Sequence, residues 1–243
     1  MVELALPAAI FFTAAFIQGL AGFGSGLIAM ALLPLVWDLH TAVAVAAIFN
    51  LALNISMAWH LRRHVELSEV TPMMAAAFVG VPLGVWFLHN LEVSAVTTGL
   101  GVVLVLYTLW SLFGKTANAH SPSRGLAALT GFAGGALAGA INVAGPPVLV
   151  YATLRRWHRD AFRANLQCYF AVTCGLAVTG YSVTGLVTAE TLSSNAVLAP
   201  ALILGVVLGD RLCQRVDQQR FRTGVLIGLL AIGGYYLARP LLS

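Results

Sequence analysis

Residues 19–26 read GLAGFGSG and residues 139–147 read GAINVAGPP, two places where glycine and proline interrupt long apolar runs. Glycine costs a helix interior about 1 kcal/mol relative to alanine, and proline removes a backbone donor and ends or kinks a helix. The chemistry open to such breaks is anion binding, because a helix that starts at a break offers backbone N–H groups with no partner inside the helix. The first break would supply Gly22, Gly24, Ser25 and Gly26, and the second Asn142, Gly145 and Pro146. Polar side chains elsewhere fall at helical spacing. Asn50 and Asn54 are four apart and share a face, as do Arg163 and Gln167. A guanidinium at Arg163 would suit a sulfonate, sulfite or carboxylate through its planar fork.

Each of these groups also has a purely structural reading. Small residues let helices approach closely in a bilayer, and amides bridge helices there. Arg163 stands about one turn inside its apolar run, from which its head can snorkel to the surface. From the residues alone both readings stay open.

Hydrolytic chemistry finds no matching pattern. The serine motif of rhomboid-type proteases wants glycine two residues before the serine, where this chain has Phe23. No histidine falls at the middle of an apolar run, and neither H-E-x-x-H nor paired intramembrane aspartates occur. Glu66, Glu69, Glu92 and Glu190 sit in or beside loops, which leaves no carboxylate suited to a proton relay; Asp210 and Arg211 read as a local ion pair or latch. Cys168, Cys174 and Cys213 have no metal-ligand spacing and read as small thiols packed between helices. The expectation is a protein that is not an enzyme, with no catalytic residue, metal or cofactor and no nucleic-acid partner.

The elements that carry these groups are membrane spans. Of 243 residues 59% are hydrophobic and 9% charged, against about 25% charged in a soluble domain. Apolar runs of roughly 20 residues, the length that crosses a hydrocarbon core, cover 4–36, 41–61, 69–88, 93–113, 125–151, 161–184, 191–210 and 221–238. Four connections are basic: HLRRHVE, GKTANAHSPSR, LRRWHRDAFR and RLCQRVDQQRFR, whereas WDLH, HNLE and GLVTAE hold acids and no Lys or Arg. Cytoplasmic loops collect Lys and Arg, and eight simple crossings cannot put all four basic connections on one side. The conflict disappears when 4–36 and 125–151, the two longest runs, are hairpins; twelve of the thirteen Lys and Arg then face the cytoplasm, Arg239 excepted. The net charge of +4 therefore reports orientation and says nothing about a substrate.

The expected fold is an all-α polytopic membrane protein of two inverted repeats, residues 1–118 and 119–243, each a helical hairpin of broken or paired helices followed by three transmembrane helices. Both termini would face the periplasm, and the first segment, with no leading Lys or Arg, would be retained rather than cleaved. Sequence echoes accompany the repeat: Gly22, Gly26, Ile28 and Pro34 against Gly135, Gly139, Ile141 and Pro147, and GVPLG (80–84) against GVVLG (205–209). In transporters built this way, broken helices meet near the midplane and hold the substrate there.

FIQGLAGFGSGLIAMALLPLV, the HLRRH loop, GVPLG and GPPVLVYATLRRWHRDAFRANLQCYF together resemble the TauE/SafE sulfite exporter family, also called TSUP. The likeness spans essentially the whole chain. It implies a multi-pass carrier of the bacterial inner membrane that moves small sulfur anions such as sulfite or organosulfonates, generally outward. Gly22–Gly26 and Gly139–Pro147 would be the family's repeat signatures, and Arg163 would lie at the start of the helix after the second. Where many members carry Gly-Thr-Ser, this chain reads AVAAIFN at 44–50, which shifts the polar contacts of the first half to Asn50 and Asn54. An anion channel and a carrier of another small organic anion, such as a carboxylate, are the alternatives. A coupling ion (H+ or Na+) and a homodimer are left open.

The topology has a direct test. Single cysteines at positions 64, 118, 158 and 218 of the full chain should all resist a membrane-impermeant thiol reagent added outside the cell. Labelling of any one of them breaks the charge argument.

Overall fold

A computed structural model describes residues 2–113, 122–212 and 218–242. It consists of ten α-helices among the described residues: α1 (Val2–Ala21), α2 (Ser25–Leu32), α3 (Leu39–Leu61), α4 (Leu67–Asn90), α5 (Val93–Phe113), α6 (Arg124–Ile141), α7 (Gly145–Arg155), α8 (Arg159–Val183), α9 (Ala189–Leu212) and α10 (Gln218–Leu242). Lys115, Cys213 and Arg215 lie outside the described residues, as do the boundary at 118/119 and the side chains of Arg220 and Arg222.

Backbone groups in hydrocarbon have no water to bind and must be satisfied within the chain, which helices do segment by segment. Six helices, α3 to α6 with α8 and α9, are long and apolar enough to cross a membrane, and Ala5–Ala21, Ser25–Leu35 and Thr223–Arg239 add shorter apolar stretches. The chain is an all-α, multi-pass membrane protein. Large apolar side chains face outward where lipid would lie, among them Trp59, Phe78, Trp86, Leu106, Val183 and Ile203.

Both expected breaks are present. The helix stops at Ala21 and restarts at Ser25, and stops at Ile141 and restarts at Gly145. At each, the shorter helix folds back against the longer one: Ile17 lies beneath Gly24, and Gly134 lies beneath Ala144 and Val148. The second break is shorter than the sequence suggested. Gly139, Ala140 and Ile141 remain helical, and the interruption is confined to Asn142, Val143 and Ala144. Pro146 and Pro147 do not end a helix; they sit in the first turn of α7, where a missing N–H breaks no bond. The two breaks are thus 120 positions apart (22 to 142), not the 113 of the Gly22–Gly135 echo. Gly135 and Gly139 lie inside α6, and Pro34 follows α2 whereas Pro147 opens α7, so that echo is a coincidence of common residues.

The other echo has a physical basis. A Cβ on Gly80 or Gly84 would stand 2.3 Å from the Phe132 carbonyl oxygen or 2.0 Å from that of Ala136. At Gly205 and Gly209 it would meet the carbonyls of Phe12 and Phe16 at 2.5 and 2.2 Å. GVPLG and GVVLG therefore mark two crossings, α4 on α6 and α9 on α1, where backbones touch without side chains between them.

Both of these pairs run parallel, since Met73, Ala77 and Val81 meet Gly131, Gly135 and Gly139 in the same order. By contrast α3 and α8 are antiparallel, with Leu51 at Gly175 and Glu66 at Asn165. The same holds for α5 and α10, with Gly101 at Leu237 and Leu104 at Gly233. Helix α2 is enclosed, with Ser25 and Leu27–Ala31 all buried. The far end of α7 is pinned to α4 by a two-pronged ion pair: Arg155 donates from Nε and Nη2 to Glu69 at 2.7 and 2.6 Å.

Gly84→Leu should force α4 off α6 and lower stability by about 1–3 kcal/mol, read as thermal unfolding in detergent. Gly99→Ala, where a Cβ meets nothing within 4 Å, should be neutral or slightly stabilising. Equal behaviour of the two variants would refute the close-crossing account.

Candidate functional site

The first break needs a left-handed backbone twice, at Gly22 (φ 82°) and Gly24 (φ 110°), a conformation that glycine alone adopts freely. The Gly22 N–H closes the last turn of α1 on the Gln18 carbonyl at 2.7 Å. Its own carbonyl accepts from Gln167 Nε2 at 2.6 Å. In the second break Asn142 takes the left-handed role (φ 53°), as asparagine does more readily than other side-chain-bearing residues, and its N–H bonds Ala138 O at 2.9 Å. The two breaks touch. A Cβ on Gly26 would lie 2.6 Å from the Asn142 carbonyl oxygen, so only glycine lets α2 come this close.

Around that contact the midspan amides converge. Gln18 is the hub: its Nε2 donates to Asn54 Oδ1 (2.7 Å) and Gln167 Oε1 (3.2 Å), and its Oε1 accepts the Ser25 N–H (3.0 Å). The Ser25 hydroxyl reaches both Gln18 Oε1 and Asn50 Oδ1, with a single proton for the two acceptors. Asn54 Nδ2 faces Cys174 Sγ at 3.6 Å, and that thiol faces Asn142 Oδ1 at 3.9 Å. Gln18, Ser25, Asn50, Asn54, Asn142 and Gln167 are all buried. Among these six residues two groups have nothing to bind, Asn50 Nδ2 and Asn142 Nδ2, on side chains 2% and 4% exposed. A buried amide N–H without an acceptor is costly, and both residues line a small cavity of about 30 Å³ together with Ser25, Gly26, Gly145, Phe170 and Cys174.

Of the expected site residues, Gly24, Ser25, Gly26, Asn50, Asn54, Asn142 and Gly145 line this cavity. Gly22 and Gln167 stand behind it as support, and Pro146 is buried in the first turn of α7 without lining it. Arg163 neither enters the cavity nor extends freely to the surface. Its side chain, 19% exposed, lies over Gly22 and directs Nη2 to Gly19 O and to Asp210 Oδ1, each at 3.4 Å. The ion pair of Asp210 is therefore with Arg163 across two helices rather than with its neighbour Arg211. Asn165 faces away and accepts the Glu66 N–H at 2.8 Å.

Gln18 and Phe23 are additions to the expected set. A lone amide in FIQGL, one turn before the break, is itself a signal, because an amide in hydrocarbon needs a partner. Phe23 lines the small cavity and also a far larger vestibule of about 620 Å³, whose other walls include Tyr107, Trp110, Phe162, Phe221 and Leu226. The rings of Phe23 and Phe162 meet edge to face, with centroids 6.1 Å apart. Phe23, Gly24 and Leu27, common to both linings, are the partition between vestibule and cavity.

Comparison with known proteins agrees with this architecture. A family model described as "Sulfite exporter TauE/SafE" matches residues 7–236. A "Probable inner membrane transporter protein TsaS" from Comamonas testosteroni is 27% identical over 178 residues, covering 70% of this chain and 72% of that protein. No solved structure matches.

Gln18→Leu should strand the Ser25 N–H and the Asn54 and Gln167 oxygens, at about 1–3 kcal/mol for each unsatisfied group. A fall in unfolding temperature well beyond that of Thr13→Ala, whose hydroxyl bonds only within its own helix, is the expected reading. Equal temperatures would remove Gln18 from its central place.

Proposed function

Because this chain belongs to the TauE/SafE sulfite exporter family, we propose that it is a secondary carrier of small sulfur-containing anions across a bacterial inner membrane. Transport is by alternating access, generally outward, around the cavity between the two breaks. The observation that carries this reading is the pair of buried, unpartnered amide donors, Asn50 Nδ2 and Asn142 Nδ2, at the meeting point of two helix starts. Helix N-termini favour anions through their free N–H groups and their dipoles. Asn50 is at the middle of the 23-residue α3, a depth that fits the midplane site of carriers with broken helices.

Two inverted repeats, 1–118 and 119–243, are the moving parts in this reading. The order of elements supports it, each half being a broken pair and then three long helices. So does the packing. Exchange of halves turns α4 on α6 into α9 on α1, both parallel, while α3 with α8 and α5 with α10 exchange into themselves and are antiparallel. The vestibule walls include the end of α5, the end of α7 and the starts of α8 and α10, which adjoin three of the four basic connections. By the positive-inside rule the vestibule opens to the cytoplasm, and both termini face the periplasm. Sulfur anions would enter there, pass Phe23 and Leu27, and bind against α2 and α7. The partition supports a carrier over an open channel, and the lining of amides, a hydroxyl and backbone N–H groups has no nucleophile–base pair for hydrolysis.

Asn142→Gly separates site from scaffold, since glycine keeps the left-handed backbone and removes only the amide. Purified into proteoliposomes, the wild-type chain should show saturable flux of sulfite or isethionate. The variant should need about tenfold more substrate, the loss of one hydrogen bond to a charged group, with an unchanged unfolding temperature. Wild-type affinity in the variant would refute the site, and flux that never saturates would favour a channel.

A further inference from the structure

We propose that the group seated between the two breaks carries a single negative charge, so that this protein takes sulfonates and hydrogensulfite and rejects sulfate and the sulfite dianion. The proposal rests on the carrier reading above and names the charge state of its substrate. The cavity lining is made of Gln18, Ser25, Asn50, Asn54, Asn142, Cys174 and apolar or backbone groups, and among the described residues no Lys, Arg or His contributes to it. Arg163, a cation close to the break, is behind Gly22 and outside this lining, and directs Nη2 to Asp210 Oδ1 and the Gly19 carbonyl. Its Nε has no partner but packs against Gly22 rather than entering the cavity.

What remains is fractional charge. Each helix N-terminus is equivalent to at most roughly +0.5 of an elementary charge, so the starts of α2 and α7 together offer no more than about one unit. Hydrogen-bond donors match that count. Gly26 and Leu27 are in the first turn of α2 and have no partner inside the helix. Helix α7 offers Gly145 but nothing from Pro146 or Pro147. Asn50 Nδ2 and Asn142 Nδ2, both on side chains more than nine-tenths buried and without partners, complete the set. A monoanion is balanced by this arrangement. A second charge would be buried without compensation, which is strongly unfavourable.

Hydrogensulfite and sulfite have the same heavy atoms, so a pH series changes charge while leaving shape nearly alone. The full-length chain in proteoliposomes is given labelled isethionate, sulfite and sulfate, with pH stepped from below to above the second ionisation of sulfurous acid. Isethionate flux should exceed sulfate flux by at least about tenfold, the ratio that 1.4 kcal/mol sets. Sulfite flux should fall as pH rises while isethionate, charged once throughout, stays level and so reports any titration of the protein itself. A parallel arm follows unfolding temperature in detergent, where isethionate should stabilise the protein and sulfate should not. Sulfate carried as well as isethionate, or sulfite flux that holds or rises through the titration, would overturn the charge assignment and leave the carrier intact. No flux and no stabilisation with any of the three anions would overturn the carrier reading itself, and this proposal with it.

Discussion

A backbone that stops being helical inside a membrane must find partners for its loose N–H and C=O groups, and the rest of this structure is arranged around that need. Gln18 meets most of it at the first break. Its amide binds the first N–H of α2, reaches Asn54 on α3, and meets Gln167 on α8, which in turn holds the Gly22 carbonyl. One side chain thereby ties three helices to the interruption. At the second break the same service comes from Tyr181, whose hydroxyl donates to Gly139 O at 2.7 Å, and from the C-terminal turn that Asn142 closes. Two amide donors left over beside the breaks, Asn50 Nδ2 and Asn142 Nδ2, belong to residues that line one small cavity.

Symmetry of scaffold and asymmetry of chemistry coexist here. The same interruption occurs 120 positions apart, with a left-handed residue first in each, Gly22 and Asn142. Yet the first half lines the cavity with Gln18, Ser25, Asn50 and Asn54, whereas the second half contributes Asn142, Phe170 and Cys174 and places two prolines in the first turn of α7. The backbone provides a matched pair of helix starts, and the side chains make one of them the richer donor.

The large features were legible because their causes are local. Apolar run length marked the long helices, glycine density marked both breaks, and the basic connections indicated which ends cluster together. GVPLG and GVVLG carried the two tight crossings in plain sight, since contact between backbones requires the same residue wherever it occurs. Other features depend on what arrives from elsewhere in the chain. Nothing near Arg163 in sequence shows that Asp210 and Gly19 wait for its Nη2 across two helices, or that its side chain lies over Gly22 outside the cavity. The extent of the second break was overestimated for a related reason: Gly139 and Gly135 are there to let α4 approach, and a packing glycine is spelled the same way as a hinge. Gln18 was a different case, readable in principle as the lone amide of its run but overshadowed by the glycines beside it.

The shortness of α2 bears on how such a protein is made. Eight residues rise only about 12 Å, too little for an insertion machine that recognises spans by hydrophobic length to retain the segment on its own account. Its buried Leu27, Ile28 and Met30 find their partners only once neighbouring helices have been delivered, α10 last of all. Assembly must then hold α2 provisionally until the end of translation, and truncation from the C-terminus would leave it without part of its wall.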